Sequence, residues 1–167
     1  MAEWYVLQTK VKQEEIARQN LLRQSFETFL PIVSVRRHRR GRWSVVNESL
    51  FPGYLFVNLD LELQNTASIR STRGVVGLVR FGVRQQPFPR HLLQSLMDAQ
   101  SASTDDAIDP ATIFSSGDAV ELIDGPMVGL KGIFKARNSQ ERVIVLFNIL
   151  GAEAEVNVSP HKLVMSG

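Results

Sequence analysis

The chain contains no cysteine, which excludes disulfides, thiolate nucleophiles and Cys-ligated zinc. Its three histidines, at 38, 91 and 161, share no ligand spacing, so no metal centre is expected. No apolar run approaches the roughly 18 to 20 residues that a membrane-spanning helix needs. The opening MAEWYVLQTK also lacks the order of charged, apolar and small residues that marks a secretion signal. In the basic first half Glu48, Asp60 and Glu62 are the only acids near the aromatic run ESLFPGYLFVNLD, with no histidine or glycine-rich loop arranged around them. A catalytic centre is therefore not expected. These absences point to a cytoplasmic protein without a cofactor, a metal or a membrane partner.

What is present is an ordinary globular composition, 44% apolar and 22% charged in 167 residues, enough for one mid-sized domain or two small ones. The charge is unevenly spread. Residues 1–100 carry 14 Lys and Arg against 8 Asp and Glu, whereas residues 101–167 carry 5 against 9. A basic half commonly faces nucleic acid and an acidic half rarely does.

The stretch AQSASTDDAIDPATIFSSGD, residues 99–118, is rich in Ser, Thr, Asp and Ala and has no apolar period, so it reads as a linker. The expected division is a domain over 1–99, a flexible linker over 100–114 and a second domain over 115–167. In the first, EWYVLQT and YLFVNLD have strand character, while VKQEEIARQNLLRQS and FPRHLLQSLMDAQ have helical spacing. This is an α+β pattern, helices covering one antiparallel sheet. In the second, DAVELID, KGIFKA, ERVIVLFNI, AEAEVNV and HKLVM are short β-type runs separated by turn residues, which suggests a small five-stranded barrel.

Three features have functional potential. On the first helix Gln13, Asn20, Arg23 and Gln24 fall within an arc of about 100°, presenting long donors that suit phosphates or base edges; a merely solvated face is the plainer reading. SIRSTRGVV adds Arg70, Thr72 and Arg73 at a strand entrance. VRRHRRGRWSV, residues 35–45, reads as a basic β-hairpin including Arg40, suited to duplex phosphates or simply to solvent. In ESLFPGYLFVNLD the chain turns at Pro52-Gly53 and enters a strand whose alternation sends Leu55, Val57 and Leu59 to one face and Tyr54, Phe56 and Asn58 to the other. The aliphatic face suits a core. The aromatic face, with Phe81 nearby, is either buried as well or left exposed as a patch that marks a protein interface.

EWYVLQTK, LFPGYLFVNLD, STRGVVGLVRFG and GDAVELIDGPMVGLKGIFKA occur in the order and at the spacing of the NusG family of transcription elongation factors, and together they cover almost the whole chain. Gly117, Asp118, Val120, Gly125, Pro126, Gly129 and Gly132 resemble the KOW domain of that family, a module also found in ribosomal proteins. Within the family the chain most resembles the operon-specific RfaH branch.

The resemblance implies a non-enzymatic, monomeric factor that clamps bacterial RNA polymerase and suppresses pausing and termination. Phe51, Pro52, Tyr54, Phe56 and Phe81 would dock on the clamp helices of the largest subunit as exposed anchors, so that truncating Tyr54 or Phe56 costs little stability. Asn65 and Thr66, followed by Ala67, stand where the RfaH branch touches the gate loop of the other large subunit. Lys10, Arg23, Gln24, Thr72 and Arg73 match residues that read the non-template DNA strand, while Ile16 and Asn20 depart from that pattern, which implies a different preferred element. The KOW domain would contact a ribosomal protein or another partner. A general NusG-type factor that couples polymerase to Rho or the ribosome would share nearly every motif, and a KOW-containing RNA-binding protein is the second alternative, which leaves the aromatic patch unexplained.

The RfaH branch also holds its C-terminal segment as an α-helical hairpin over the polymerase site, and Glu48 and Arg142 occupy the positions of its interdomain salt bridge. Local preferences oppose a helix here. Pro126 inside a helix costs roughly 3 kcal/mol, Gly129, Gly132 and Gly151 about 1 kcal/mol each, and Val143-Ile144-Val145 favours a strand. The expectation is a β-barrel for the isolated segment 115–167, with the helical hairpin as the alternative for the full chain.

Overall fold

Strand β1 (Glu3–Thr9) is apolar on both faces over Trp4 to Leu7, and the fold buries all four of those residues. It pairs antiparallel with β5 (Tyr54–Leu59) on one side and β6 (Val75–Leu78) on the other, and β5 pairs with β2 (Glu27–Phe29), giving a sheet of order β2-β5-β1-β6. The structure is a computed structural model that describes residues 2–64, 66–82, 84–113 and 128–157.

The register Tyr5↔Val57 and Leu7↔Leu55 stacks one set of side chains over α1 (Glu14–Arg23), where Ala17 and Leu21 close the core together with Phe26, Leu59, Ile69 and Val75. The alternate positions Trp4, Val6 and Phe56 face the opposite way and meet Phe88 and the Leu92, Leu93 and Leu96 side of α3 (Arg90–Ser101). Both helices supply apolar residues at three- and four-residue spacing, which places them on the helix faces turned to the sheet. The sequence expectation of a mixed fold, helices on an antiparallel sheet, matches this architecture.

Between β2 and β5 the chain makes a separate two-stranded hairpin, β3 (Ile32–Arg39) and β4 (Arg42–Ser49), paired from Ile32↔Ser49 to Arg39↔Arg42. Short α2 (Ala67–Arg70) precedes β6, and β7 (Arg80–Phe81) pairs with β8 (Arg84–Gln85). Part of the expected linker is not loose. Ala107 and Ile108 are fully buried, and Ile108 joins β3 as a parallel bridge, donating to the Ile32 carbonyl at 2.7 Å and accepting from the Ser34 amide at 2.8 Å. Short α4 (Pro110–Ile113) follows.

Residues 128–157 differ from the strands expected there: they form α5 (Val128–Lys135) and α6 (Ser139–Asn157). Packing outweighs the local β preference of Val143-Ile144-Val145. Leu130, Ile133, Leu146 and Leu150 are buried in the same core as Phe56 and Leu96, with Val143, Val145 and Ile149 packed around them. Two glycines counted against a helix allow close approach instead: a Cβ on Gly129 would lie 2.8 Å from Leu92 Cδ1, and one on Gly132 would lie 3.3 Å from Val145 Cγ1. Pro126 precedes α5 and lies, with the first expected barrel strand and the last, outside the described residues.

Phe56 therefore belongs to the core rather than to an exposed patch. Its ring lies 4.9 Å from Phe88, 6.1 Å from Phe51 and 6.2 Å from Phe29, centroid to centroid. Phe56→Ala is expected to lower stability by about 3 to 5 kcal/mol, and the half-buried Tyr54→Ala by less, read from denaturant unfolding. A Phe56→Ala protein as stable as wild type would show that this face is not a core.

Candidate functional site

The candidate residues occupy four places on this frame. The first is built where β1 hands over to α1. Lys10 donates its backbone amide to the Gly74 carbonyl at 2.8 Å, and Gln13 donates to the Lys10 carbonyl at 3.0 Å, so the turn ahead of α1 is tied to the Thr72-Arg73-Gly74 turn. Gly74 sits at φ +88°, and a Cβ there would come 3.0 Å from the Ala17 amide nitrogen. Only a residue without a side chain brings the two turns this close. The result places Arg73 beside the start of α1, with Lys10, Arg23, Gln24 and Arg73 all exposed and Gln13 and Asn20 partly so.

Within this cluster the polar side chains hold one another. Asn20 donates to the Ile16 carbonyl, Arg23 donates to Asn20 Oδ1 at 3.3 Å, and Gln24 Nε2 donates to Thr72 Oγ1 at 2.7 Å. Thr72 is buried, and its hydroxyl donates in turn to the Ser68 carbonyl at 2.7 Å. Thr72 thus orients Gln24 and presents no free hydroxyl at the surface, unlike the direct reader expected of it. Ile16 is exposed as well.

Arg70 and Arg40 lie elsewhere. Arg70 lines a cleft of about 480 Å³ with Thr66, Gln8, Arg80 and Gln85, so it is grouped with the Thr66 site. Asn65 lies outside the described residues. Arg40 is at the turn of the β3–β4 hairpin, where it and Gly41 both have positive φ, 53° and 76°. Such a two-residue turn matches the twist of a hairpin and is usually Asn-Gly. Arginine is held there against its backbone preference, in a surround of exposed Arg36, Arg37, Arg39 and Arg42.

The fourth place is the aromatic face. The turn leading into it is fixed by a residue that no local pattern singles out: Glu14, in the first turn of α1, accepts from the Gly53 amide at 3.1 Å and from Ser49 Oγ at 3.5 Å. Phe51 and Phe56 are buried, Tyr54 and Phe81 half-buried, and Pro52 exposed. The cover is α6. Phe147 meets Tyr54 edge-on at 5.4 Å, burial pushes the Tyr54 phenol above its ordinary pKa, and a Cβ on Gly151 would touch Phe81 at 3.7 Å. At the edge of this contact Arg142, only 6% exposed, donates Nε to the Leu50 carbonyl at 2.7 Å and Nη2 to Glu48 Oε1 at 3.0 Å. The other Glu48 oxygen receives Arg37 at 2.8 Å. The structure therefore joins Glu48 to Arg142, and puts four of the five aromatic-patch residues at least partly out of solvent.

Among the described residues no group of His, Cys, Asp and Glu is arranged to hold a metal ion, and no helix is long and apolar enough to cross a membrane. The surface offers long cationic and amide donors near the start of α1, while the aromatic face lies largely under α6. The profile of the family described as transcription termination factor nusG matches residues 2–97. Thermus thermophilus NusG, a transcription termination/antitermination protein, is 30% identical, covering 97% of this chain and 97% of its own. The proteins of that name from Streptococcus pyogenes serotype M1 and Deinococcus radiodurans are 28% and 27% identical, covering 96% and 93% of this chain and 94% and 95% of theirs. A solved structure of Thermotoga maritima NusG shows only a slight likeness, with a TM-score of 0.40 at 24% identity over 62% of this chain and 60% of that one. The chain belongs to the NusG family, whose members are transcription factors and not enzymes.

Two substitutions test how the candidate surface is built. Gly74→Ala forces a side chain into the α1 backbone at a positive φ and is expected to cost about 1 to 3 kcal/mol, read as a lowered unfolding midpoint. Arg40→Asn relieves the hairpin turn and is expected to raise stability by up to about 1 kcal/mol. A destabilised Arg40→Asn protein would show that the arginine makes a contact that offsets its strained backbone.

Proposed function

We propose that the chain is an elongation and antitermination factor that binds bacterial RNA polymerase and the non-template DNA strand, and that it covers its own polymerase-binding face until it loads. Phe51, Pro52, Tyr54, Phe56 and Phe81 meet the clamp helices, and Asn65 and Thr66 meet the gate loop. Lys10, Gln13, Asn20, Arg23, Gln24 and Arg73 approach the displaced strand, with Thr72 behind Gln24. Arg40 and Arg70 add phosphate contacts on either side. Bridging the two pincers across the DNA channel disfavours the open, paused polymerase, and a difference in affinity between the two states is all that shift requires. The factor acts as a cytoplasmic monomer without a cofactor.

The observation that carries this reading is the seat of α6 on the aromatic face, with Arg142 buried against Glu48 and Leu50. A factor that loads everywhere gains nothing from hiding its docking surface. One that loads at a few operons does, because the cover rejects polymerase until a cognate DNA element adds its own binding energy. After release, residues 115–167 refold as a KOW barrel and recruit a ribosomal protein or another partner at the high effective concentration a tether provides. A second reading, a general NusG-type factor coupling polymerase to Rho or the ribosome, is favoured by the termination/antitermination names of the relatives. Mapping polymerase pauses across the genome with and without the protein separates the two: relief at a few sites supports operon-specific loading, and relief everywhere supports the general role.

Arg142→Ala leaves Glu48 and the Leu50 carbonyl without a partner across the contact and is expected to weaken the cover by about 1 to 3 kcal/mol. It should therefore capture more polymerase than wild type in a pull-down without cognate DNA. Equal capture would reject the masking role. Circular dichroism of the full chain and of isolated 115–167 tests the refolding: matching β-type or matching helical C-terminal signals would eliminate the switch.

A further inference from the structure

We infer that the β3–β4 hairpin carries, on the face opposite its outermost arginines, a stacking platform built on Trp43 that takes an unpaired DNA base where duplex passes into single strand. This deepens the nucleic-acid reading above and rests on it. Cross-strand partners share a face of a two-stranded sheet, and successive residues alternate faces. The pairs His38↔Trp43 and Arg36↔Val45 therefore lie on one face, and Arg39↔Arg42 and Arg37↔Ser44 on the other. One face is aromatic and apolar with a cation at its edge, and the other is cationic.

Trp43 is 63% exposed and Val45 66%, although both sit in regular strand. The indole is steadied from within the hairpin. The His38 ring lies 5.0 Å away at 49°, and the Arg36 guanidinium carbon lies 5.4 Å from its centroid. Those contacts fix the orientation of the ring and still leave most of its surface to solvent. A large flat ring, held in place with one guanidinium beside it, matches the chemistry of a nucleobase attached to phosphates, since aromatic stacking takes any base and arginine adds a cation–π contribution. On the opposite face Arg37 is engaged by Glu48, whereas Arg39 and Arg42 have no ion-pair partner among the described residues and are free for backbone phosphates. Phosphates on one face and a base on the other describe a strand junction, where one strand leaves the stack while its neighbours stay paired. The tight turn at Arg40-Gly41 makes the tip rigid enough to stand at such a point.

The test uses the full chain with two fluorescent probes: a blunt duplex, and the same duplex ending in a short unpaired thymidine tail. Trp4 is buried in the core, so binding-dependent quenching of tryptophan emission reports Trp43. Wild type is expected to bind the tailed duplex more tightly and with quenching. Trp43→Leu should lose about tenfold on the tailed duplex, in the lower half of the stacking range, and nothing on the blunt one. Trp43→Phe should keep most of the difference. Arg42→Ala should weaken both probes and lower the salt slope by about one, which Trp43→Leu should leave unchanged. If wild type binds neither probe, the nucleic-acid reading falls and takes this inference with it. If it binds both and Trp43→Leu behaves as wild type, the platform alone is overturned. Loss of polymerase capture by Trp43→Leu in a DNA-free pull-down, with tailed-duplex binding intact, would overturn it in favour of a protein contact.

Discussion

β5 carries large apolar side chains on both faces, and a sheet in water has to cover both. The aliphatic face is the simpler case: Leu55, Val57 and Leu59 lie under α1, whose small Ala17 lets the helix approach closely enough for Gly74 to meet its backbone. The aromatic face is wider than one helix can roof. α3 covers part of it through Leu92, Leu93 and Leu96, and α5 and α6 add Leu130, Ile133, Leu146 and Leu150 to the same core. The position of nearly every candidate residue follows from these two requirements. α1 aims its donors away from the sheet because its other side is committed to it, and the hairpin projects its cations because only its base is anchored.

In the proposed mechanism a surface roofed by the chain's own helices cannot be roofed by a partner at the same time. The cover and the partner then compete for one set of aromatic contacts, and the outcome depends on small differences. A cover favoured by roughly 3 kcal/mol leaves about one molecule in a hundred open. Such a balance suits helices whose local preferences run against them. Gly129 and Gly132 are poor helix residues that gain from close contact, and Val143 and Ile144 are strand formers, with Ile144 left 59% exposed. α5 and α6 depend on the sheet more than on themselves.

How far the sequence discloses this depends on whether a residue's role is local. Alternation in YLFVNL gives the two faces of β5, and helical spacing gives α1 and α3, because periodicity is a property of the segment itself. The positive charge of the hairpin tip is equally plain. What escapes is set across long separations. Glu14 reaches Gly53, Gln24 reaches Thr72, and Ile108 docks beside Val33, with nothing in the adjoining residues to signal it. The C-terminal helices escape for a stronger reason: their sequence has two compatible local readings, and the packing partner that favours one of them lies some ninety residues earlier.

The seat of Ile108 on β3 also bears on distance. A segment that left the core at Ser101 would trail from the end of α3, but burial of Ala107 and Ile108 moves the point of departure to the base of the hairpin. Nineteen residues separate Ile108 from Val128. Fully extended, such a chain reaches about 70 Å at most. In the proposed released state the hairpin base is therefore the centre of the sphere in which the C-terminal segment finds a partner. In the proposed mechanism a partner bound by that segment is held within one leash length of the hairpin base, so the docking of one isoleucine helps to set which two surfaces of a larger assembly the protein can connect.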